Sequence, residues 1–128
     1  MIAVTFALPS ESSEFLRCLS NKSRADRNGI RTIRGTIDSH DIEVLHTGVG
    51  EKTCRQRIAK FLQDRQFDLL ISTGFAGALT NQLQLGDLLL AQNFSTIDLG
   101  AKRSSLSSSP IHMADLLTVP GLIDSSDE

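Results

Sequence analysis

The sequence predicts an α/β protein with a mixed β-sheet flanked by helices. Two short apolar runs, at residues 2–8 and 69–71, have the length and composition of buried strands. Between these runs, residues 51–65 carry apolar side chains at helical spacing. Glycine-rich segments follow several of the predicted strands, and in parallel α/β sheets ligands bind just beyond the carboxyl ends of strands.

Size and charge restrict the class of protein. The 128 residues suit one domain with a core. The net charge of −2, with 13 basic and 15 acidic residues, predicts neither a nucleic-acid nor a membrane partner. No apolar segment approaches the ~20 residues that span a bilayer, and residues 1–11 lack the basic region of a signal peptide. Cys18 and Cys54 form no disulfide framework, so a cytoplasmic location is the default.

The first elements are a strand and a helix. Residues 2–8 form a near-continuous apolar run, typical of a strand buried on both faces. Pro9 ends the strand, and Ser10 is a suitable N-cap for a helix that continues to about residue 19. Residues 21–29 are charged and polar, and they end in Asn28-Gly29, a strong turn signal.

A hairpin and a second helix follow. Strand-like segments at residues 30–37 and 41–47 predict an antiparallel pair joined across residues 38–40. The helix at residues 51–65 has one apolar face, formed at i, i+4, i+7 and i+8 by Cys54, Ile58, Phe61 and Leu62.

The last part of the chain changes in character. After strands at residues 68–71 and 86–91, a serine-rich stretch and an acidic end predict a loop or poorly ordered tail from residue 98 to residue 128. A short helical turn is expected near residues 113–117. We therefore divide the chain into an ordered part, 1–97, and a tail, 98–128.

Two glycine-rich segments are candidate sites. The sequence GFAG at residues 74–77 directly follows a predicted strand, and both a tight turn and a ligand site account for it. The sequence GVGEKT at residues 48–53 is not a P-loop, because Glu51 separates the glycine from the lysine. It is either an anion-binding helix N-terminus or an ordinary strand-to-helix turn. Residues 7–11 read ALPSE where a dinucleotide-binding domain would carry GxGxxG, so that class is not predicted.

The polar residues give weaker signals. The three histidines share no metal-ligand spacing, so no metal site is predicted, and His46 is expected to pack or hydrogen-bond at a strand end. Glu11 lies just past the first strand, where a carboxylate can orient a water for proton transfer. The spacing alone favours the other interpretation of Glu11, an acid that interacts with the helix dipole.

Four segments follow one another along the chain: ALPSE at residues 7–11, TGVGEK at 47–52, STGFAGAL at 72–79 and LGDLLL at 85–90. Taken in order, they resemble the nucleoside phosphorylase superfamily, especially its branch of methylthioadenosine/S-adenosylhomocysteine nucleosidases. Each segment is weak evidence alone, whereas four in register across roughly residues 1–95 are fairly specific.

The resemblance implies a three-layer α/β/α fold and cleavage of the N-glycosidic bond of a small-molecule nucleoside, as in purine salvage, with no cofactor. It assigns Glu11 to orienting the attacking water. It places two segments on the ribose and attacking-group side of the pocket: Thr47, Gly48, Val49, Gly50, Gly74, Phe75, Ala76 and Gly77. Relatives of this family are commonly dimers or larger, so the resemblance is compatible with a homodimer.

Two departures from the family pattern affect the expected activity. Phosphorylases of the family place Ser or Thr where this chain has Phe75 and an Arg near Ser72, which favours water over phosphate as the acceptor. The family's later half carries a ribose-binding Met-Glu motif and the Asp that protonates the base. The sequence ends before both, so we expect a truncated, N-terminal half-domain without the leaving-group acid. A phosphate-dependent phosphorylase and a non-catalytic nucleoside-binding or truncated module remain the alternatives.

Overall fold

The structure, a computed structural model, describes residues 1–97 and 111–117. It contains two compact units, Met1–Ala76 and Gly77–Glu128. The first unit consists, in chain order, of β1 (Ile2–Phe6), α1 (Pro9–Arg17), β2 (Ser20–Arg27), β3 (Ile30–Ile37), β4 (His40–His46), α2 (Glu51–Leu62) and β5 (Leu69–Ser72).

The five strands of this unit form one mixed sheet with the order β2-β3-β4-β1-β5. β1 pairs in parallel with both β4 and β5, whereas β2, β3 and β4 pair antiparallel. The predicted mixed sheet and hairpin are therefore confirmed. The central strand β1 is buried from Ala3 to Phe6, as its continuous apolar run predicts.

The two helices cover opposite faces of the sheet, because side chains along a strand alternate between faces. On one face, Phe15 and Leu16 of α1 pack against a core of Val4, Phe6, Leu19, Ile42 and Val44. On the other face, the predicted apolar stripe of α2 packs against the sheet through Phe61, with Ala3, Ile30 and Leu45. The sheet with helices on both faces confirms the predicted layering of this unit.

The start of α1 differs from the prediction. Leu8, not Ser10, is the N-cap residue, and Pro9 occupies the first turn. Proline is favoured there because its fixed φ suits a helix and its missing N–H would have no intrahelical partner. Leu8 makes no side-chain capping bond, so the first turn of α1 has no side-chain cap.

A strand replaces the polar segment at residues 21–29. β2 carries one half-buried residue, Ala25, among exposed polar ones, and therefore shows no apolar pattern. The turn signal at Asn28-Gly29 is correct, and both residues have positive φ, 55° and 79°, as two-residue hairpin turns require. The next turn, Asp38-Ser39, has the same conformation, so β4 begins one residue earlier than predicted, at His40.

The strand predicted at residues 69–71 forms but is not buried. Leu70 and Ile71 of β5 are 43% and 42% exposed. β5 is the last strand of the sheet and pairs with β1 on one side only, within the described residues. The burial predicted for this strand was therefore wrong.

The second unit contains β6 (Leu88–Ala91) and β7 (Ile111–Ala114), which pair in parallel. β7 corrects two expectations, because a strand stands where a tail with a helical turn near residue 113 was predicted. Beyond β7, the side chain of Asn93 bonds the backbone N–H and C=O of Leu116, at 2.9 and 3.0 Å. The remainder of the predicted tail, 98–110 and 118–128, lies outside the described residues. None of the helices that the structure describes is long and apolar enough to cross a membrane.

Candidate functional site

The carboxyl ends of three parallel strands meet at one edge of the sheet. In the register, Phe6 of β1 lies opposite His46 of β4 and Thr5 lies opposite Ser72 of β5. Backbone hydrogen bonds continue the pairing beyond the strands: Thr47 N–H to Phe6 O at 2.8 Å and Thr73 N–H to Thr5 O at 2.9 Å. The loops after β1, β4 and β5 therefore start side by side, where α/β proteins bind ligands.

Glu11 connects two of these loops. It lies in the first turn of α1, and its Oε2 accepts a hydrogen bond from the backbone N–H of Phe75 at 2.8 Å. Within residues 1–97 and 111–117, no protein group bonds the other oxygen, Oε1. The structure thus brings together Glu11 and the segment after β5, and it leaves one carboxylate oxygen for another partner.

Gly74 permits this contact. A Cβ built on Gly74 would lie 2.5 Å from Oε2 of Glu11, closer than such atoms approach. Gly74 does not have a positive φ, so the backbone conformation does not require glycine at this position. The steric reason is therefore the approach of the carboxylate.

In the loop after β4, the backbone conformation explains why glycine occupies two positions. Gly48 and Gly50 have φ values of 78° and 97°, which L side chains rarely adopt. Gly50 is the N-cap residue of α2. Thr47 is buried, and its hydroxyl donates to its neighbour's carbonyl, Gly48 O, at 3.0 Å, whereas Val49 is exposed. The strand-to-helix turn accounts for both glycines.

The predicted residues of the GFAG segment are exposed. The side chain of Phe75 is 82% exposed, although its N–H is bound to Glu11. Ala76 is the last residue of the first unit and Gly77 the first of the second. A Cβ on Gly77 would meet nothing within 4 Å, so the structure gives no steric reason for that glycine.

Ser12 and His46 form a polar contact that the sequence did not predict as a pair. Ser12 Oγ lies 2.7 Å from Nε2 of His46, which confirms that His46 hydrogen-bonds at a strand end. Burial, followed by the positive charge of Arg57, lowers the pKa of His46 below its ordinary value. No sequence signal separates Ser12 from Ser10 and Ser13, because only the strand register places His46 beside α1.

Metal ligands are not assembled at this edge. In the described part of the chain, no group of three or more His, Cys, Asp or Glu side chains could hold a metal ion.

The chain is an α/β protein, and an acid at a helix N-terminus lies beside glycine loops at the edge of the sheet where proteins of this class bind ligands. The profile of the phosphorylase superfamily matches residues 1–121, and the chain belongs to that family.

Curated relatives of the chain are 5′-methylthioadenosine/S-adenosylhomocysteine nucleosidases. Those of Shewanella halifaxensis and Glaesserella parasuis are 24% and 27% identical to it over 90 residues, 70% of this chain. The matched region is 39% of the length of each relative.

Solved structures share the fold. A putative nucleosidase of this name from Borrelia burgdorferi, bound to adenine, superposes with a TM-score of 0.80 at 19% identity, covering 97% of this chain and 68% of that one. The Streptococcus pneumoniae nucleosidase in complex with 8-aminoadenine gives 0.73 at 21% identity, covering 98% and 67%. These similarities confirm the predicted nucleoside phosphorylase-like α/β fold.

Proposed function

We propose that this chain serves the hydrolysis of the N-glycosidic bond of an adenine-type nucleoside, with Glu11 orienting the attacking water. The observation that carries the proposal is the position of Glu11, whose Oε2 is held by the N–H of Phe75 at 2.8 Å while Oε1 is not bonded within the described residues. Family membership and the nucleosidase relatives support the general class of reaction.

The reaction breaks the bond between the base nitrogen and C1′ of ribose, and the water oxygen bonds to C1′. The electron pair of the broken bond leaves with the base, so ribose acquires oxocarbenium character. A carboxylate near C1′ stabilises this positive charge and accepts a proton from the water. Glu11 suits both tasks because the Phe75 N–H fixes one oxygen and Oε1 can accept from water.

The acceptor is proposed to be water rather than phosphate. A phosphate ion beside the Glu11 carboxylate would meet a like charge, and the side chain of Phe75 offers no hydrogen-bond donor. We place the ribose against the two segments that flank Glu11: Thr47, Gly48, Val49, Gly50, Gly74, Phe75, Ala76 and Gly77. The proposal assigns no residue of this chain to protonate the leaving base.

A substrate whose leaving group needs no proton tests the role of Glu11 directly. p-Nitrophenyl β-D-ribofuranoside releases a stable phenolate, so its hydrolysis depends on the attacking water and not on an acid. We expect release of nitrophenolate without phosphate, and we expect Glu11→Gln to slow it about 100-fold, a typical contribution of general-base catalysis. Adenine release from 5′-methylthioadenosine should be much slower than nitrophenolate release, because it needs the proton.

The matched control is Glu14→Gln. Glu14 lies on the same helix, is exposed and pairs with Arg17 at 3.2 Å, so its removal should leave the rate unchanged. Equal rates for the wild type and Glu11→Gln would contradict the proposal. Release that requires phosphate would instead identify a phosphorylase, and saturable nucleoside binding without turnover would identify a binding module.

A further inference from the structure

The first turn of α1 contains a hydroxyl that water does not reach. Ser12 directly follows Glu11 and is 0% exposed. Its Oγ lies 3.1 Å from Pro9 O and 2.7 Å from Nε2 of His46. A buried hydroxyl is costly unless it is bonded, so both contacts matter to this turn.

The direction of the two bonds follows from the single proton of the hydroxyl. Ser12 donates to the carbonyl of Pro9, so Nε2 of His46 donates to Ser12 Oγ. The bond therefore reaches from the end of β4 to the helix, and it does not compete with the bond inside the turn.

The backbone of His46 is itself held in place. His46 is the last residue of β4 and lies opposite Phe6 in the sheet. Its carbonyl accepts a hydrogen bond from Nε of Arg57 on α2 at 3.0 Å. The donor to Ser12 is therefore attached to a strand end that is bonded on two sides.

Glu11 depends on the position of the same turn. Its Oε2 meets the Phe75 N–H at 2.8 Å, with Gly74 too close for a Cβ. No side chain caps the N-terminus of α1, and the Ser12 contact bonds this turn to the last residue of β4. A small displacement of the turn would break the bond between Glu11 and Phe75, since hydrogen bonds weaken steeply with distance and angle.

We infer that Ser12 and His46 are positioning residues for Glu11, which anchor the first turn of α1 so that the carboxylate meets the Phe75 N–H. The inference rests on the proposed function for its catalytic meaning. The positioning itself can be measured without turnover.

The amide proton of Phe75 reports the geometry of Glu11. A carboxylate that ionises shifts the resonance of an amide bonded to it, so this resonance should titrate with Glu11. The chain has six phenylalanines, and ¹⁵N-phenylalanine labelling therefore gives a simple spectrum in which Phe75→Leu identifies the signal. Glu11→Gln should abolish the titration and so confirm its source.

Ser12→Ala should reduce the amplitude of the Phe75 titration by more than half. His46→Leu should do the same, whereas His46→Gln should retain it because the glutamine amide can place an N–H near the position of Nε2. The two His46 variants leave Ser12 intact, so they test the positioning of Glu11 even if Ser12→Ala does not fold.

Two controls distinguish the positioning of Glu11 from a general loss of stability. Ser13→Ala removes a hydroxyl from the same helix whose hydrogen bond among the described residues is to Ser10 O, at 3.5 Å, and it should retain the titration. Thr32→Val removes the bond to Glu43 on the other face of the sheet and should lower stability without changing the titration.

A full Phe75 titration in folded Ser12→Ala, or in His46→Leu, would overturn the inference. An equal loss in Thr32→Val would overturn it too, because destabilisation alone would then explain the effect. The two proposals can also fail separately. If Ser12→Ala loses the titration but Glu11→Gln does not change the rate of nitrophenolate release, then the positioning role of Ser12 and His46 is supported and the proposed function is rejected.

Discussion

One hydrogen bond joins Glu11 to a backbone amide 64 residues later in the chain. Helix propensity and the dipole account for an acid in the first turn of α1, as the sequence indicated. They do not account for the missing side chain at Gly74, which has no positive φ. At the scale of single residues, the glycine at position 74 has a steric reason, the close approach of the Glu11 carboxylate.

Gly74→Ala tests that contact. The new Cβ would displace the Glu11 carboxylate, and a misplacement of about 1 Å can cost on the order of 100-fold in rate. We expect nitrophenolate release from the ribofuranoside to fall by that order, with little change in thermal stability.

Glu11→Gln provides the control background for this substitution. When the carboxylate is already removed, the added Cβ should lower the rate little further, because both changes act through the same group. An equal loss of rate on both backgrounds would show that the substitution acts through the loop and not through the carboxylate.

The buried Glu43 gives a second prediction for single residues. Its side chain is 0% exposed and bonds Arg65, Arg34 and Thr32. Removing Arg65 leaves the buried charge less compensated, with Arg34 as its remaining cation, so Arg65→Leu should lower the free energy of unfolding by about 3 kcal/mol. Urea unfolding measures this change.

An exposed ion pair provides the comparison. Arg55 lies 2.7 Å from Glu51 on α2, and both side chains are largely exposed. Solvent screens such pairs, so Arg55→Leu should change the free energy of unfolding by less than about 0.5 kcal/mol. A loss similar to that of Arg65→Leu would contradict the importance of burial.

At the scale of elements, apolar patterns predicted β1, the hairpin of β3 and β4, and the buried stripe of α2. β2 was missed because an exposed strand at the end of a sheet needs no apolar residues, and charged side chains there discourage pairing with other chains. The burial of β5 was overestimated because its sequence is apolar. Its position at the other end of the sheet leaves Leu70 and Ile71 exposed all the same.

The turn between β2 and β3 also stabilises a helix. The side-chain nitrogen of Asn28 donates to the carbonyls of Lys60 and Gln63, at 2.9 and 3.1 Å, at the end of α2. Asn28→Gly keeps the positive φ of the turn but removes both bonds, so we expect a loss of about 1–2 kcal/mol in the free energy of unfolding.

Asn21→Gly is the matched control for that measurement. Asn21 has the same φ of 55°, and its side chain makes no hydrogen bond among the described residues. Its substitution should stay within about 0.5 kcal/mol. A loss at Asn21 as large as at Asn28 would assign the effect to the turns rather than to α2.

At the scale of the whole molecule, the buried Glu43 and the half-buried His46 couple stability to pH. Burial raises the pKa of Glu43, but hydrogen bonds from Arg65, Thr32 and Arg34 outweigh it and hold that pKa below its ordinary value. The pKa of His46 is also lowered, by burial and by Arg57. In both cases the unfolded chain binds protons at a pH at which the folded chain does not.

Stability should therefore fall as the pH falls. The contribution of His46 is complete above its unfolded pKa of about 6.5 and is lost below it, and that of Glu43 is lost below about pH 4.3. Urea unfolding across this range measures the slope. His46→Gln should remove the change in the free energy of unfolding near pH 6, and Glu43→Gln should remove the change below about pH 4.5. A stability that rises on acidification would contradict both assignments.

The sequence by itself determined the fold class, the central strand, both helices and the segments that form the candidate site. Apolar periodicity and glycine placement are local, and they report which residues face a core and where the chain turns. Only the tertiary structure decided that Glu11 meets Phe75, that Gly74 leaves room for it, and that Ser12 meets His46. These contacts depend on the parallel register of β4, β1 and β5, which brings together residues distant in the chain. The sequence pattern of a single strand does not encode this register.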